Sequence, residues 1–233
     1  LTIGGKPADD AGYIINISYG ANGASISNIM PIDITGSKTW KDNSNAYNTR
    51  PEEITLTLYR SIAGGDEMEV EASPTWQKDG NVWSYKYTGL PKTDDSGNAY
   101  TYRVEETVPE NYTSSQDGND ITNTLTGTVD IPVTKIWRDN DNVLGERPQT
   151  IEVVLYANGV EVASAEIGED TGLIEGLWNK ITGTADNKWE YVFEGVPKYD
   201  EDGVEIVYTV AEREVSEDYE VRYDGFEIEN VKF

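Results

Sequence analysis

The sequence predicts an all-β chain of two tandem antiparallel β-sandwich modules, and three observations carry that prediction. The chain repeats itself: Lys38-Thr39-Trp40-Lys41-Asp42-Asn43 returns 97 positions later as Lys135-Ile136-Trp137-Arg138-Asp139-Asn140, and self-similarity of this kind marks a repeat architecture. Apolar residues alternate with polar ones at a spacing of two, the period of a half-buried strand. Glycine-bearing turn signals separate these runs, and no long segment carries the period of an amphipathic helix.

Residues 1–33 come first and fit two descriptions. Ile26-Ser27-Asn28 precedes Lys38 much as Ile121-Thr122-Asn123 precedes Lys135. The segment is either the end of a preceding repeat or a hairpin added to the first module. That module spans 34–126. After its Lys38–Asn43 opening come Arg50-Pro51 and the run Ile54 to Tyr59, in which Ile54, Leu56 and Leu58 share a face. Trp83, Tyr85 and Tyr87 then alternate with Ser84 and Lys86. Gly89-Leu90-Pro91-Lys92 reads as a turn, Tyr102 to Glu106 as a strand, and Ile121-Thr122-Asn123 closes the copy. Further turns fall at Asp79-Gly80 and Asp95-Ser96-Gly97. The second module spans 127–233 in the same order: Arg147-Pro148, Ile151 to Tyr156, Trp189 to Phe193, Gly195-Val196-Pro197-Lys198, Tyr208 to Glu212 and Ile228-Glu229-Asn230. Its turns lie at Asn158-Gly159 and Asp202-Gly203. The offset grows from 97 to 106 between Tyr156 and Trp189, so nine extra residues sit there. About seven short strands per copy suit a two-sheet sandwich, and the short link 124–133 predicts modules placed end to end.

Composition narrows the chemistry. Among 233 residues, Asp plus Glu number 43 and Lys plus Arg 18, for a formal charge of −25, and Cys and His are absent. Lack of Cys excludes disulfides, zinc–thiolate sites and thiol nucleophiles. Lack of His removes the commonest general base and metal ligand. The charge argues against nucleic acid or an anionic lipid surface as partner, since both need basic surface. No apolar run is long enough for a membrane helix, and nothing at the start reads as a signal peptide. Because Leu1 opens the sequence without an initiator Met, an excised piece of a longer protein is expected.

The same alternation turns three polar residues of each copy inward. Lys38 shares parity with Trp40, Glu106 with Val104 and Tyr102, and Asn123 with Ile121; Lys135, Glu212 and Asn230 repeat the pattern beside Trp137, Val210 and Ile228. A buried Lys or Glu is costly unless paired, and burial favours the neutral form of each. A neutral amine is a nucleophile, and a protonated carboxyl can donate to an amide oxygen. With Asn these are the parts of a transamidation: the amine attacks the side-chain carbonyl, Glu polarises it and moves protons, and ammonia leaves.

At this point the chain resembles the Cna B-type repeats of Gram-positive surface adhesins and pilins, over about residues 34–233. The resemblance rests on the Lys-x-Trp-x-Asp-Asn opening, the Arg-Pro before an alternating strand, Leu/Val-Pro-Lys, Tyr-x-Val-x-Glu and the closing Ile-x-Asn. It implies an immunoglobulin-like sandwich whose first and last strands are neighbours. It also implies isopeptide bonds Lys38–Asn123, assisted by Glu106, and Lys135–Asn230, assisted by Glu212. The competing reading is a hydrogen-bonded Lys–Glu–Asn cluster with no bond, which the duplicated spacing disfavours. The expected function is a structural stalk or shaft segment of a cell-wall-attached, extracellular protein. Its expected partners are the neighbouring repeats of the same polypeptide. No cofactor, metal, nucleic acid or membrane insertion is expected, and self-crosslinking happens once per module, so the chain is not read as an enzyme. The alternative function is a ligand-binding module for a host matrix protein or glycan.

Weaker features have plainer readings. Asp139-Asn140-Asp141-Asn142 invites calcium, but Leu144 and Pro148 stand where an EF-hand needs Gly and a ligand, so a solvated loop is expected. Asp94-Asp95 and Asp200-Glu201-Asp202 precede Gly and read as turns. The apolar stretch Gly172 to Trp178 and the indole of Trp76 are read as folding back on their own sandwiches in preference to forming a binding patch.

Overall fold

The computed structural model describes residues 2–3, 6–7, 12–21, 23–168, 183–185 and 187–233. The chain divides into two units, Leu1–Leu125 and Thr126–Phe233. In the first unit, β1 (Thr2–Ile3) pairs with β2 (Lys6–Pro7), and β3 (Ile14–Gly20) with β4 (Gly23–Ile29). The β3–β4 hairpin is tied to the turn it overlies: Asn16 Nδ2 and Ser27 Oγ donate to Asp95 Oδ1 at 2.9 and 2.6 Å.

The first sandwich follows: β5 (Pro31–Lys41), β6 (Leu56–Ile62), β7 (Met68–Val70), β8 (Thr75–Asp79), β9 (Val82–Pro91), β10 (Tyr100–Glu106), β11 (Tyr112–Asp117) and β12 (Asp120–Leu125). One sheet has the order β11-β12-β5-β9-β8 and the other β10-β6-β7. The second unit repeats this with β13 (Thr128–Arg138), β14 (Thr150–Ala157), β15 (Val160–Gly168), β16 (Gly183–Ala185), β17 (Lys188–Pro197), β18 (Tyr208–Glu212), β19 (Tyr219–Asp224) and β20 (Glu227–Lys232). Its sheets run β16-β17-β13-β20-β19 and β15-β14-β18. Each copy thus has eight strands among the described residues, against the seven expected from alternation. Short strands such as β16 carry too few residues to show a period.

Alternation sets the core. Tyr85 and Tyr87 of β9 face Leu56 and Leu58 of β6 and Val104 of β10, all buried, and Trp83, also buried, packs against Trp40 and Trp76. In the second copy Trp189, Tyr191 and Phe193 meet Ile151, Val153, Leu155 and Val210. A fully buried side chain of this size contributes about 1.5–3 kcal/mol. The two sheets of each module are held together mainly by these faces.

Two details position the polar residues. The first and last strands of each module are parallel neighbours, whereas the other described pairings are antiparallel. Lys38 lies opposite Ile121 and Trp40 opposite Asn123; Lys135 lies opposite Ile228 and Trp137 opposite Asn230. The two strands can be parallel because the whole of the module forms the crossover between them. Further, the Gly-Leu/Val-Pro segments expected as turns lie inside β9 and β17. Gly89 and Gly195 take positive φ of 70° and 63° there, and each N–H donates to a first-strand aspartate, Asp33 or Asp130, at 3.1 and 2.7 Å. The register shifts beside both aspartates, so these glycines serve a bulge.

Candidate crosslinking site

The inward parity of β5 and β12, strand neighbours in one sheet, places Lys38 and Asn123 on the same inner face, and both are fully buried. Glu106 reaches them from the end of β10 in the opposite sheet. Lys38 Nζ lies 2.9 and 3.0 Å from the two carboxylate oxygens, and Asn123 Nδ2 donates to Glu106 Oε1 at 3.1 Å. Ser114 Oγ adds a bond of 3.2 Å to Oε2. The second copy rebuilds the site: Lys135 Nζ is 3.2 Å from Glu212 Oε2, and Asn230 Nδ2 donates to Glu212 Oε1 at 3.2 Å. All six residues expected from the sequence therefore fall into two clusters of three.

Burial lowers the Lys38 amine to about 8, against the opposing pull of Glu106. Burial likewise lowers Lys135 to about 8, with Glu212 and Glu229 pulling up and the positive charge of Arg147 adding to the fall. In one respect the geometry differs from the expected polarised carbonyl. Glu106 and Glu212 face the amide nitrogen, and neither Asn Oδ1 has a hydrogen-bond partner among the described residues. A carboxylate so placed touches both the lysine amine and the amide nitrogen and can exchange a proton with either.

Behind each lysine lies a polar network that alternation alone did not single out. Arg50 Nε and one terminal nitrogen grip the Asp42 carboxylate at 2.8 and 2.5 Å. Arg50 also bonds Asn81 Oδ1 and the Gly80 carbonyl, and Tyr112 donates its hydroxyl to Asp42 Oδ2 at 3.1 Å. In the second copy Arg147 grips Asp139 at 2.8 and 2.6 Å and bonds Asn187, and Tyr219 donates to Asp139 at 3.2 Å. Burial opposes the Asp42 charge, but Arg50, the Asn45 N–H and Tyr112 overcome it and hold the carboxyl below its ordinary range. Arg147 leads the same effect at Asp139. The expectation of a solvated loop at 139–142 is thus corrected: Asp139 is a buried ion-pair partner, while Asn140 and Asp141 are exposed. The signal was present in the sequence, since Asp42, Asn45, Arg50, Asn81 and Tyr112 all have identical counterparts in the second copy.

Among the described residues no cluster of acidic groups is arranged to hold a metal, and no helix is long and apolar enough to cross a membrane. Trp76 packs on its own sandwich, 5.2 Å from the Tyr85 ring and 6.1 Å from that of Trp83. The stretch Gly172 to Trp178 lies outside the described residues.

Residues 34–124 and 131–231 each match the Cna protein B-type domain. The collagen adhesin of Staphylococcus aureus is 32% identical over 219 residues, 90% of this chain, which spans 16% of the adhesin's length. The crystal structure of two B repeat units of the collagen binding protein of that organism is 30% identical, with a TM-score of 0.47, covering 94% of this chain and 54% of that one. A single B repeat unit of the same protein is 26% identical, with a TM-score of 0.37, covering 87% and 98%. The chain belongs to the Cna protein B-type domain family, of which it carries two copies in tandem.

Proposed function

We propose that each module closes itself with an isopeptide bond, Lys38 to Asn123 and Lys135 to Asn230, and that the pair serves as a stalk segment of a cell-wall-attached surface adhesin or pilin. The observation that carries this reading is the twofold meeting of a buried Lys and Asn on the parallel first and last strands with a Glu side chain from the opposite sheet. The carboxylate of Glu106 accepts the lysine proton and frees the amine's lone pair. The amine attacks Cγ of Asn123, forming the new C–N bond. Glu106 passes that proton to Nδ2 and takes a second proton from the attacking nitrogen, the Cγ–Nδ2 bond breaks, and the departing ammonia carries that second proton away as ammonium, which restores the carboxylate. Glu212 does the same for Lys135 and Asn230. Nothing is oxidised or reduced and no cofactor is required. Each event happens once, which is self-crosslinking and not turnover.

The surface location rests on family membership and on likeness to a staphylococcal adhesin. A bond between first and last strands supports the stalk role, because it ties together the two points where tension enters and leaves a module. The expected intact mass is lower than the sequence sum by two molecules of ammonia. Lys38→Ala and Lys135→Ala should each restore one of them, and a mass equal to the plain sum in the parent chain would overturn the proposal.

A second reading, binding of a host matrix protein, has one feature in its favour. A cleft of about 500 Å³ opens beside Trp76 and Trp83, lined also by Lys78 and Glu53. Measured binding to immobilised matrix proteins that is lost in Trp76→Ala would favour adhesion over spacing.

A further inference from the structure

The tryptophan beside each lysine is held in place by the polar network described above. Lys38 Nζ stands 4.8 Å from the Trp40 ring centroid, and the Arg50 guanidinium carbon stands 5.2 Å from it. Trp137 has Lys135 at 4.3 Å and Arg147 at 5.2 Å. Neither indole N–H has a hydrogen-bond partner among the described residues, so hydrogen bonding does not fix these rings. Neighbouring rings and the guanidinium fix them instead. Trp40 meets Trp83 and Tyr112 edge-on, both at 5.2 Å; Trp137 meets Trp189 and Tyr219 at 5.1 and 5.2 Å. Tyr112 and Arg50 are in turn fastened to one carboxylate, Asp42, as Tyr219 and Arg147 are to Asp139. The arrangement recurs while neighbouring positions change, Lys41 becoming Arg138 and Glu105 becoming Ala211.

We propose that Asp42, Arg50 and Tyr112, and in the second copy Asp139, Arg147 and Tyr219, are positioning residues for the crosslinking reaction, holding the tryptophan ring against the lysine amine and keeping water from it. This rests on the isopeptide reading above. The ring shields one side of the amine, so the amine reacts as the free base that burial favours. At Lys135 the positive charge of Arg147 disfavours the ammonium form further. Against these stand the groups that favour the ammonium: the face of the tryptophan ring itself, Glu106 across from Lys38, and Glu212 with Glu229 around Lys135. Loosening the network admits water, raises the amine's affinity for its proton and leaves less free base at neutral pH.

The test uses the full chain made by cell-free synthesis, quenched in denaturant at intervals, with ammonia loss read module by module after proteolysis. In Arg50→Ala, module 1 should crosslink about tenfold more slowly near pH 7 for each unit by which its amine rises. The deficit should close as the pH approaches about 9.5, while module 2 keeps its parental rate in the same molecules. Tyr112→Phe, which removes one hydroxyl and keeps the ring, should show a smaller slowing of the same form and decides the matter if Arg50→Ala does not fold. A parental rate in both variants, or a slowing equal at every pH, would overturn the positioning role while leaving the bond itself intact. Absence of ammonia loss in the parent chain would remove the isopeptide reading and the positioning role with it.

Discussion

Lys38 and Lys135 are fully buried, in ion-pair contact with Glu106 and Glu212 respectively, and their chemistry follows from that burial. Burial lowers both amines to about 8 from an ordinary 10.5. In a chain that cannot crosslink, such as Asn123→Ala/Asn230→Ala, the unfolded lysines keep their protons up to the ordinary value while the folded ones release them earlier. Between these limits the unfolded state binds more protons, so stability rises with pH. Denaturant midpoints of that variant should therefore increase between about pH 7.5 and about pH 9.5, ahead of the tyrosine range near 10. A parent chain carrying the proposed bonds would hold amides in place of both amines and should show no rise from these groups. A flat profile in the variant would contradict a buried, proton-poor amine. Glu106→Gln keeps the size of the side chain but cannot accept the proton. It should slow bond formation in module 1 by roughly 10²–10⁴-fold, read as one retained ammonia at short times, with module 2 unchanged.

At the scale of elements, what could be read from the sequence depended on whether a strand carried it. Parity along β5, β10 and β12 turns Lys38, Glu106 and Asn123 inward on the sequence alone, and the second copy repeats the pattern. Asp42 has the same parity as Lys38 and Trp40, yet the run of acids and amides that follows Asp139 reads as wet. Its partner Arg147 lies across a loop where Asn140, Asp141 and Asn142 all take positive φ, a shape that no period encodes. The glycines at 89 and 195 were visible as turn formers, but a bulge inside a strand needs the facing aspartate to be known as well. Gly36 shows how the copies diverge with their packing. A Cβ there would stand 2.2 Å from the Asn119 carbonyl and 2.4 Å from the Tyr85 hydroxyl, which donates to that carbonyl. The counterpart is Val133, buried, and the hydroxyl of the matching Tyr191 has no partner among the described residues. Gly36→Ala should therefore destabilise module 1 by about 1–3 kcal/mol through overpacking. Chemical denaturation followed by amide exchange in each module would register it, and an unchanged module 1 would show that β12 can move aside.

For the molecule as a whole, the two proposed bonds convert parallel strand pairs into covalent shortcuts. Tension on the chain enters the first sandwich through β5 and leaves through β12, then enters the second through β13 and leaves through β20. A bond from Lys38 to Asn123 carries that load past every residue between them, and a bond from Lys135 to Asn230 does so again. Hydrogen bonds of the intervening strands then carry no tension, so stretching cannot open the sandwiches by peeling them. Without the bond, the chain between Lys38 and Asn123 is free to extend by about 290 Å, at ~3.4 Å per residue. The Lys135–Asn230 segment adds about 320 Å on the same basis. Single-molecule stretching of the parent chain should show neither release, up to forces that break the tether. Lys38→Ala should release the shorter length alone, Lys135→Ala the longer one alone, and the double variant both in separate steps. Release of either length from a parent chain already shown by mass to have lost two ammonias would mean that tension does not pass through the bonds. The crosslinks would then act on the unfolded chain, restricting it by roughly 4–5 kcal/mol per closed loop, as a disulfide of similar span does.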